Sequence, residues 1–342
     1  SMLEGAGNER MNRQILFSAI PQGLPVPSDF SLVETPAPKP AEGQILVRHL
    51  FLGLSPSARL RMAGDSDYSA GMPLGKPFQG QVLGIVEESR NPDFAIGDYL
   101  LVNGGWQEFS VTSGKSAIRI DPALGPVSTA LGLLGTSGMT AYVGLLDIGQ
   151  PKPGETVVVS AASGSVGSVV GQIAKLHGCR VVGIAGGPEK CAYAVDTLGF
   201  DACLDHRLPD LPQRLADATP SGIDVSFENV GGAVRDAVWP LLNDFGRVVL
   251  CGMIADYQNV EGLKGPDWFP ILMHRLTVRG FLLRDHADRR GEFLRTVSTW
   301  YREGKIQYRE DIAQGLENAP SAFIRLLRGE NFGKAIVRIS DV

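Results

Sequence analysis

One stretch restricts the fold of this chain more than any other: Val157-Val-Val-Ser-Ala-Ala-Ser-Gly164-Ser-Val-Gly167-Ser-Val-Val-Gly171, an apolar run that passes through small residues into a helical pattern. A strand that enters a small-residue loop and then a helix lets a phosphate group approach the backbone, where free N–H groups and the positive end of the helix dipole meet it. Against the pattern G-x-G-x-x-G the first glycine position holds Ala162, so spacing alone says little. The context supplies the rest, because Val166, Val169, Val170, Ile173 and Ala174 recur at helical spacing and define a core face. Gly164 and Gly167 therefore read as phosphate-loop residues, against the alternative of an ordinary tight β–α turn.

Around this loop the runs 156–160, 180–184, 222–227 and 247–250 are short, apolar and separated by segments of helical length. That alternation predicts a parallel sheet covered on both faces, a doubly wound α/β (Rossmann) domain over 131–308. Residues 11–130 are instead dense in Gly and Pro, with β-like runs at 44–50, 81–86, 99–102 and 108–111 and turn signals such as Asn91-Pro92. They predict a second, mostly β domain, antiparallel and partly closed. An amphipathic segment at 320–329 leads to a last strand at 334–339, which by spacing alone can extend either domain. Residues 1–10 read as a tag or disordered tail and carry no weight in the fold.

A chain of 342 residues that is 44% apolar can fill two such cores. Its net charge of -5 includes no basic stripe, and Arg284 to Arg290 is broken by Asp285 and Asp288, so nucleic acid is not an expected partner. No apolar stretch reaches the ~20 residues that span a bilayer, and the N-terminus has no signal-peptide pattern. No membrane association and a cytoplasmic location are expected. Cys179, Cys191, Cys203 and Cys251 form no C-x-x-C pair and read as buried thiols. None of the five histidines has a Cys, Asp or Glu at metal-ligand spacing, so no metal site is expected. Gly164-Ser165-Val166-Gly167 is not the G-x-S-x-G of a serine hydrolase.

The next strand ends at Ala185-Gly186-Gly187. An NAD site places an acid about twenty residues beyond the loop to hold the ribose 2′-hydroxyl. No acid stands there, and Lys190 follows within a turn, able to meet a 2′-phosphate. These residues point to NADP(H). Hydride chemistry on a conjugated carbonyl needs a hydrogen-bond donor where negative charge develops. Tyr257, a few residues past the strand at 247–250, is the first candidate, and Tyr68 in the β domain is a second.

The loop at 161–175, together with Leu198-Gly-Phe-Asp201, Glu228-Asn-Val-Gly-Gly232, Cys251-Gly-Met-Ile254, Gly104-Gly-Trp-Gln-Glu108, Gly138-Met-Thr-Ala-Tyr142 and Gly329-Glu-Asn-Phe-Gly-Lys334, resembles the medium-chain dehydrogenase/reductase superfamily. Within it the match is to the zinc-free alkenal, prostaglandin and curcumin reductases. The resemblance implies a GroES-like β domain completed by residues 309–342, with substrate and nicotinamide in a cleft between the domains. It assigns dinucleotide contacts to Gly164, Ser165, Val166, Gly167, Lys190, Asn229, Cys251, Gly252, Met253, Ile254, Tyr257, Phe281, Leu282, Leu283 and Asn331. Thr140 falls on the nicotinamide side, and Tyr257 on substrate and cofactor together.

Zinc-binding relatives carry G-H-E-x-x-G where this chain reads Gln79-Gly-Gln-Val-Leu-Gly84. Two further departures concern ligands. Relatives often have Asn-Tyr-Lys at Asp205-His206-Arg207, which puts His206, able to add charge when protonated, where a tyrosine touches the 2′-phosphate region, with Arg207 as a further contact. Many have Asp-Pro-Tyr-Met-Arg at Ser55-Pro-Ser-Ala-Arg59, which removes bulk from the substrate side. The expected activity is NADPH-dependent reduction of the C=C bond of an α,β-unsaturated aldehyde or ketone, with a quinone reductase of the same superfamily and a non-catalytic NADPH-binding protein as alternatives. The segment 276–283 reads as an exposed edge strand, of the kind proteins usually cover, or as an internal strand, and the resemblance implies pairing of two copies into a homodimer.

Overall fold

In the computed structural model, which describes residues 9–65, 70–256 and 265–342, the chain divides into two compact units. One runs up to Leu131 and resumes at Glu310–Val342; the other is Gly132–Arg309.

The first unit begins with a two-stranded antiparallel pair, β1 (Met11–Phe17) and β2 (Phe30–Pro36). β3 (Ile45–Gly53), the short helix α1 (Ala58–Arg61), β4 (Val82–Ser89), β5 (Tyr99–Val102), β6 (Phe109–Thr112) and β7 (Ile118–Arg119) follow. The four β-like runs of this half appear here as β3 to β6. β1 and β2 carried no expectation.

The second unit opens with α2 (Thr136–Val143), which continues into a π-helical turn at Gly144–Gly149. Then strand and helix alternate: β8 (Thr156–Ser160), α3 (Gly167–Leu176), β9 (Arg180–Ala185), α4 (Pro188–Asp196), β10 (Ala202–Asp205), α5 (Leu211–Ala218), β11 (Ile223–Glu228), α6 (Gly232–Val238) and β12 (Leu242–Leu250). α7 (Phe269–His274), β13 (Thr277–Gly280) and α8 (Arg290–Arg302) complete it. The six strands run parallel in the order β10-β9-β8-β11-β12-β13. Chain order thus reverses between β8 and β11, which makes a topological switch point of the kind that binds ligands beyond the strands' carboxyl ends. Every residue of β8 is buried, as a central parallel strand requires. All four of β13 are exposed, so it is an edge.

β14 (Glu310–Gln314), α9 (Ala319–Leu327) and β15 (Lys334–Arg338) then return to the first unit, where β15 pairs with β3. Its sheet runs β14-β15-β3-β4-β5-β7 with β6 also on β3, and among the described residues no pairing joins β14 to β7. The sheet is therefore open, not a closed barrel. The β14–β15 pair is parallel, an exception to the antiparallel expectation that arises because α9 carries the chain back between them. Phe17, Phe30, Phe78, Trp106 and Phe323 form its aromatic centre, with Phe78 and Trp106 ring centroids 4.2 Å apart. Among the described residues no helix is long and apolar enough to cross a membrane.

Candidate functional site

The carboxyl ends of β8, β11 and β12 are laced together by short polar contacts. Ser160, the last residue of β8, donates its Oγ–H to Glu228 Oε1 (3.1 Å) and accepts the Asn229 N–H (2.8 Å), while Asn229 Nδ2 donates to the Ser160 carbonyl (2.9 Å). The same Glu228 oxygen accepts the N–H groups of Val230 and Gly231 at 2.9 and 2.8 Å. Glu228 is buried, and a buried carboxylate needs such donors. The Cys251 and Gly252 amides donate to the Glu228 carbonyl, and that of Ile254 to Asn229. Asn229 and the segment 251–254 are thereby brought beside the end of β8. Burial pushes the Cys251 thiol up to about 12, so it stays protonated.

From Ser160 the chain enters the loop that precedes α3. Ala161 adopts a left-handed conformation (φ 49°), strained for a residue with a side chain and of the kind that collects at functional turns. A Cβ on Gly167 would stand 2.3 Å from the Ala161 carbonyl oxygen, so no larger residue closes this turn. Gly164, Ser165 and Val166 are half-buried at the mouth of α3, and Gly167 is buried. The broken first-glycine position also has a physical account. Ala162 is completely buried, and a Cβ on Gly183 of neighbouring β9 would lie 2.7 Å from the Ala162 Cβ. The methyl missing from β9 is carried by the loop instead.

The ends of β9 and β10 form a second corner. Gly187 has φ 99°, a backbone only glycine adopts readily, and it starts α4. The Asp205 carboxylate accepts the N–H groups of Gly187 (3.0 Å) and Arg207 (2.9 Å). Burial opposes its charge, but these donors together with His206 and Arg207 hold the carboxyl below its usual range. The Asp205 carboxylate is thus turned into its own backbone. A Cβ on Gly186 would lie 3.1 Å from His206 Nε2 and 3.3 Å from Arg207 Nε. Partial burial, with the cations Arg207 and Lys190, lowers the His206 pKa from its ordinary value against the pull of Asp205. Lys190 is half-buried in the first turn of α4. The corner therefore gathers Lys190, His206 and Arg207 around two glycines. Arg207, which the sequence offers beside His206 as a further contact to a 2′-phosphate, lies against both glycines. Its proximity depends on the β9–β10 register, which no local pattern reveals.

Thr140 is half-buried on α2, one turn before Gly144. Phe281, Leu282 and Leu283 form the turn after β13, with Leu282 54% exposed. Asn331 lies in the first unit and donates its Nδ2–H to the Gly333 carbonyl at 2.8 Å. Tyr257 and Tyr68 lie outside the described residues. Among the described residues no group of three or more His, Cys, Asp or Glu is arranged to hold a metal ion. At Gly80, the position of the histidine in G-H-E-x-x-G, a Cβ would already meet Leu52 Cδ1 at 3.0 Å and Trp106 Nε1 at 3.2 Å. The aromatic centre of this unit fills the place a ligand side chain would need.

Comparison with known proteins agrees with this arrangement. The family model described as the N-terminal domain of oxidoreductase matches residues 13–120, and that described as zinc-binding dehydrogenase matches residues 165–299. The NADPH-dependent curcumin reductase of Escherichia coli is 47% identical, over 97% of this chain and 98% of that protein. Prostaglandin reductase 1 of Bos taurus is 40% identical over 92% of this chain and 95% of its own length. The crystal structure of CurA in complex with NADPH from Vibrio vulnificus superposes with a TM-score of 0.92 at 45% identity, covering 96% of this chain and all (100%) of that one. By likeness that extends over nearly the full length of these proteins, the chain belongs to the alkenal, prostaglandin and curcumin reductases of the medium-chain dehydrogenase/reductase superfamily.

Proposed function

We propose that this protein is an NADP(H)-dependent oxidoreductase that saturates the C=C bond of small α,β-unsaturated aldehydes and ketones. The observation that carries the cofactor is the corner of Gly186, Gly187, His206 and Arg207, where no acid faces a 2′-hydroxyl and the Arg207 guanidinium stands beside the glycines with the titratable His206 ring. The tight turn at Gly167, where a Cβ would collide with the Ala161 carbonyl, suits a pyrophosphate held by the amides that open α3. The residues present thus fit the dinucleotide: Gly164, Ser165, Val166 and Gly167 for the pyrophosphate, and Lys190, His206 and Arg207 for the 2′-phosphate. Asn229, the segment 251–254, Thr140, the turn 281–283 and Asn331 are assigned to the remainder. When bound, NADPH supplies the hydride.

The chain's own contribution is positional and electrostatic. Tyr257 donates a hydrogen bond to the substrate carbonyl oxygen, where charge develops as the β-carbon is reduced, and a donor aimed at that atom is worth more in the transition state than in the ground state. The Cys251 thiol, held protonated by burial, adds no competing nucleophile. The first unit is proposed as the substrate side and the second as the dinucleotide side. Ser57, lacking the bulk of a tyrosine, leaves room for substrates of varied length.

Four free cysteines in an α/β unit fit a reducing, cytoplasmic setting. The fully exposed edge strand β13, flanked by Trp268, Phe269, Leu272 and Leu282, fits pairing with a second copy. Sedimentation at micromolar concentration tests that pairing: a single species of monomer mass rejects it. The activity itself is tested by following NADPH oxidation with 2-alkenals and with quinones in parallel. Turnover of alkenals is expected, and turnover confined to quinones, or absent with both, overturns the proposal.

A further inference from the structure

The π-helical turn at Gly144–Gly149 has glycines at both ends, each pressed on the α/β sheet. π-Turns are rare and occur mostly at functional sites. A Cβ on Gly149 would meet Val225 Cγ1 at 3.1 Å and Val249 Cγ2 at 3.4 Å, a tight but yielding contact. At Gly144 there is less room: a Cβ would stand 2.7 Å from Phe227 Cε2 and 2.8 Å from Phe281 Cζ. Phe227 is completely buried in β11 and has nowhere to go. Phe281 is half-buried in the turn after β13, with His286 edge-on at 6.3 Å, so it is the ring that would move. Thr140 lies four residues before Gly144, on the same helical face.

We infer that Gly144 is a positioning residue: its bare Cα seats the Phe281 ring against the helix that carries Thr140, and so fixes the turn Phe281–Leu283. The inference rests on the proposed reading of Thr140 and Phe281 as dinucleotide-side residues. With Phe227 fixed, added volume at Gly144 is taken up by a shift of the helix toward Phe281, which a shorter side chain there permits, whereas a general packing defect is not relieved by that change. NADPH affinity, read by nicotinamide fluorescence without substrate, separates the two. Gly144→Ala is expected to weaken binding about tenfold in the wild-type protein and less than about threefold in a Phe281→Leu background. Equal losses in both backgrounds, or none in the first, overturn the inference. If Gly144→Ala does not fold, the double variant decides. Recovery of a folded, NADPH-binding protein supports the link to Phe281, and failure of the double variant places the conflict at Phe227 and rejects it. Phe281→Ala tests the underlying reading by itself: unaltered NADPH binding removes Phe281 from the cofactor site and the inference with it.

Discussion

A Cβ on Gly187 would stand 3.2 Å from Nη1 of Arg207, so the turns after β9 and β10 meet with a guanidinium where a side chain would otherwise be. A planar, permanently charged fork is well matched to a phosphate. Arg207→Ala is expected to weaken NADPH binding by about tenfold or more and to leave NADH binding nearly unchanged. Gly186→Asp should also narrow the preference for NADPH, because the new acid would sit against His206 and Arg207 and compete for their charge. Titration of each variant with both dinucleotides checks this; equal losses for NADH and NADPH would move the 2′-phosphate elsewhere.

His206 adds a pH dependence of definite sign. Its pKa in the protein lies below 6.5, through partial burial and the neighbouring Arg207 and Lys190, opposed by Asp205. A 2′-phosphate favours the protonated ring, so NADPH affinity should fall as pH rises through the His206 pKa. The phosphate itself titrates near pH ~6 and weakens binding on the acid side in any variant. The comparison of wild type with His206→Gln from pH 5.5 to 8.5 isolates the ring. Parallel curves for the two proteins would exclude it.

Tyr257 is expected to act on turnover and not on cofactor binding. Tyr257→Phe should lower kcat about a hundredfold or more, in the range seen for loss of one oxyanion donor, with NADPH affinity retained. Undiminished turnover, in a reaction whose isotope effect shows the chemical step to be limiting, removes Tyr257 from the mechanism.

The β domain carries its own acid sensitivity. His49 is completely buried, with Nδ1 2.6 Å from the Gln107 carbonyl and Nε2 2.7 Å from Ser110 Oγ. Burial lowers its pKa from 6.5 to about 4, the Gln107 carbonyl opposing. The folded state thus binds fewer protons than the unfolded chain between those values. Stability should be complete above pH 6.5 and fall by up to roughly 3 kcal/mol as pH drops to 4. Urea unfolding of wild type and His49→Gln across this range checks it, since the variant should lose that part of the slope.

The α/β half was more legible than the β half for a physical reason. Strands buried on both faces, such as 156–160, are continuous apolar runs, and the loop at Gly164 interrupts one with small residues only. Strands with one wet face, such as β1 and β2, alternate weakly, and β10 is only the short run Ala202–Asp205. The candidate site divides similarly. Gly167 and Lys190 announce themselves locally. Arg207 at Gly187, the exchange of a methyl between Ala162 and Gly183, and the filling of Gly80 by Trp106 depend on neighbours across a sheet or core. The roles of Thr140, Asn229 and Phe281 came from family resemblance, because nothing in their own neighbourhood of sequence marks them.

The central claim is that the protein reduces the carbon–carbon double bond. Incubation with a 2-alkenal and NADPH deuterated at the transferring position, followed by NMR of the product, tests it most directly. The account predicts a saturated aldehyde with deuterium on the β-carbon; an allylic alcohol with deuterium on the carbonyl carbon would contradict it.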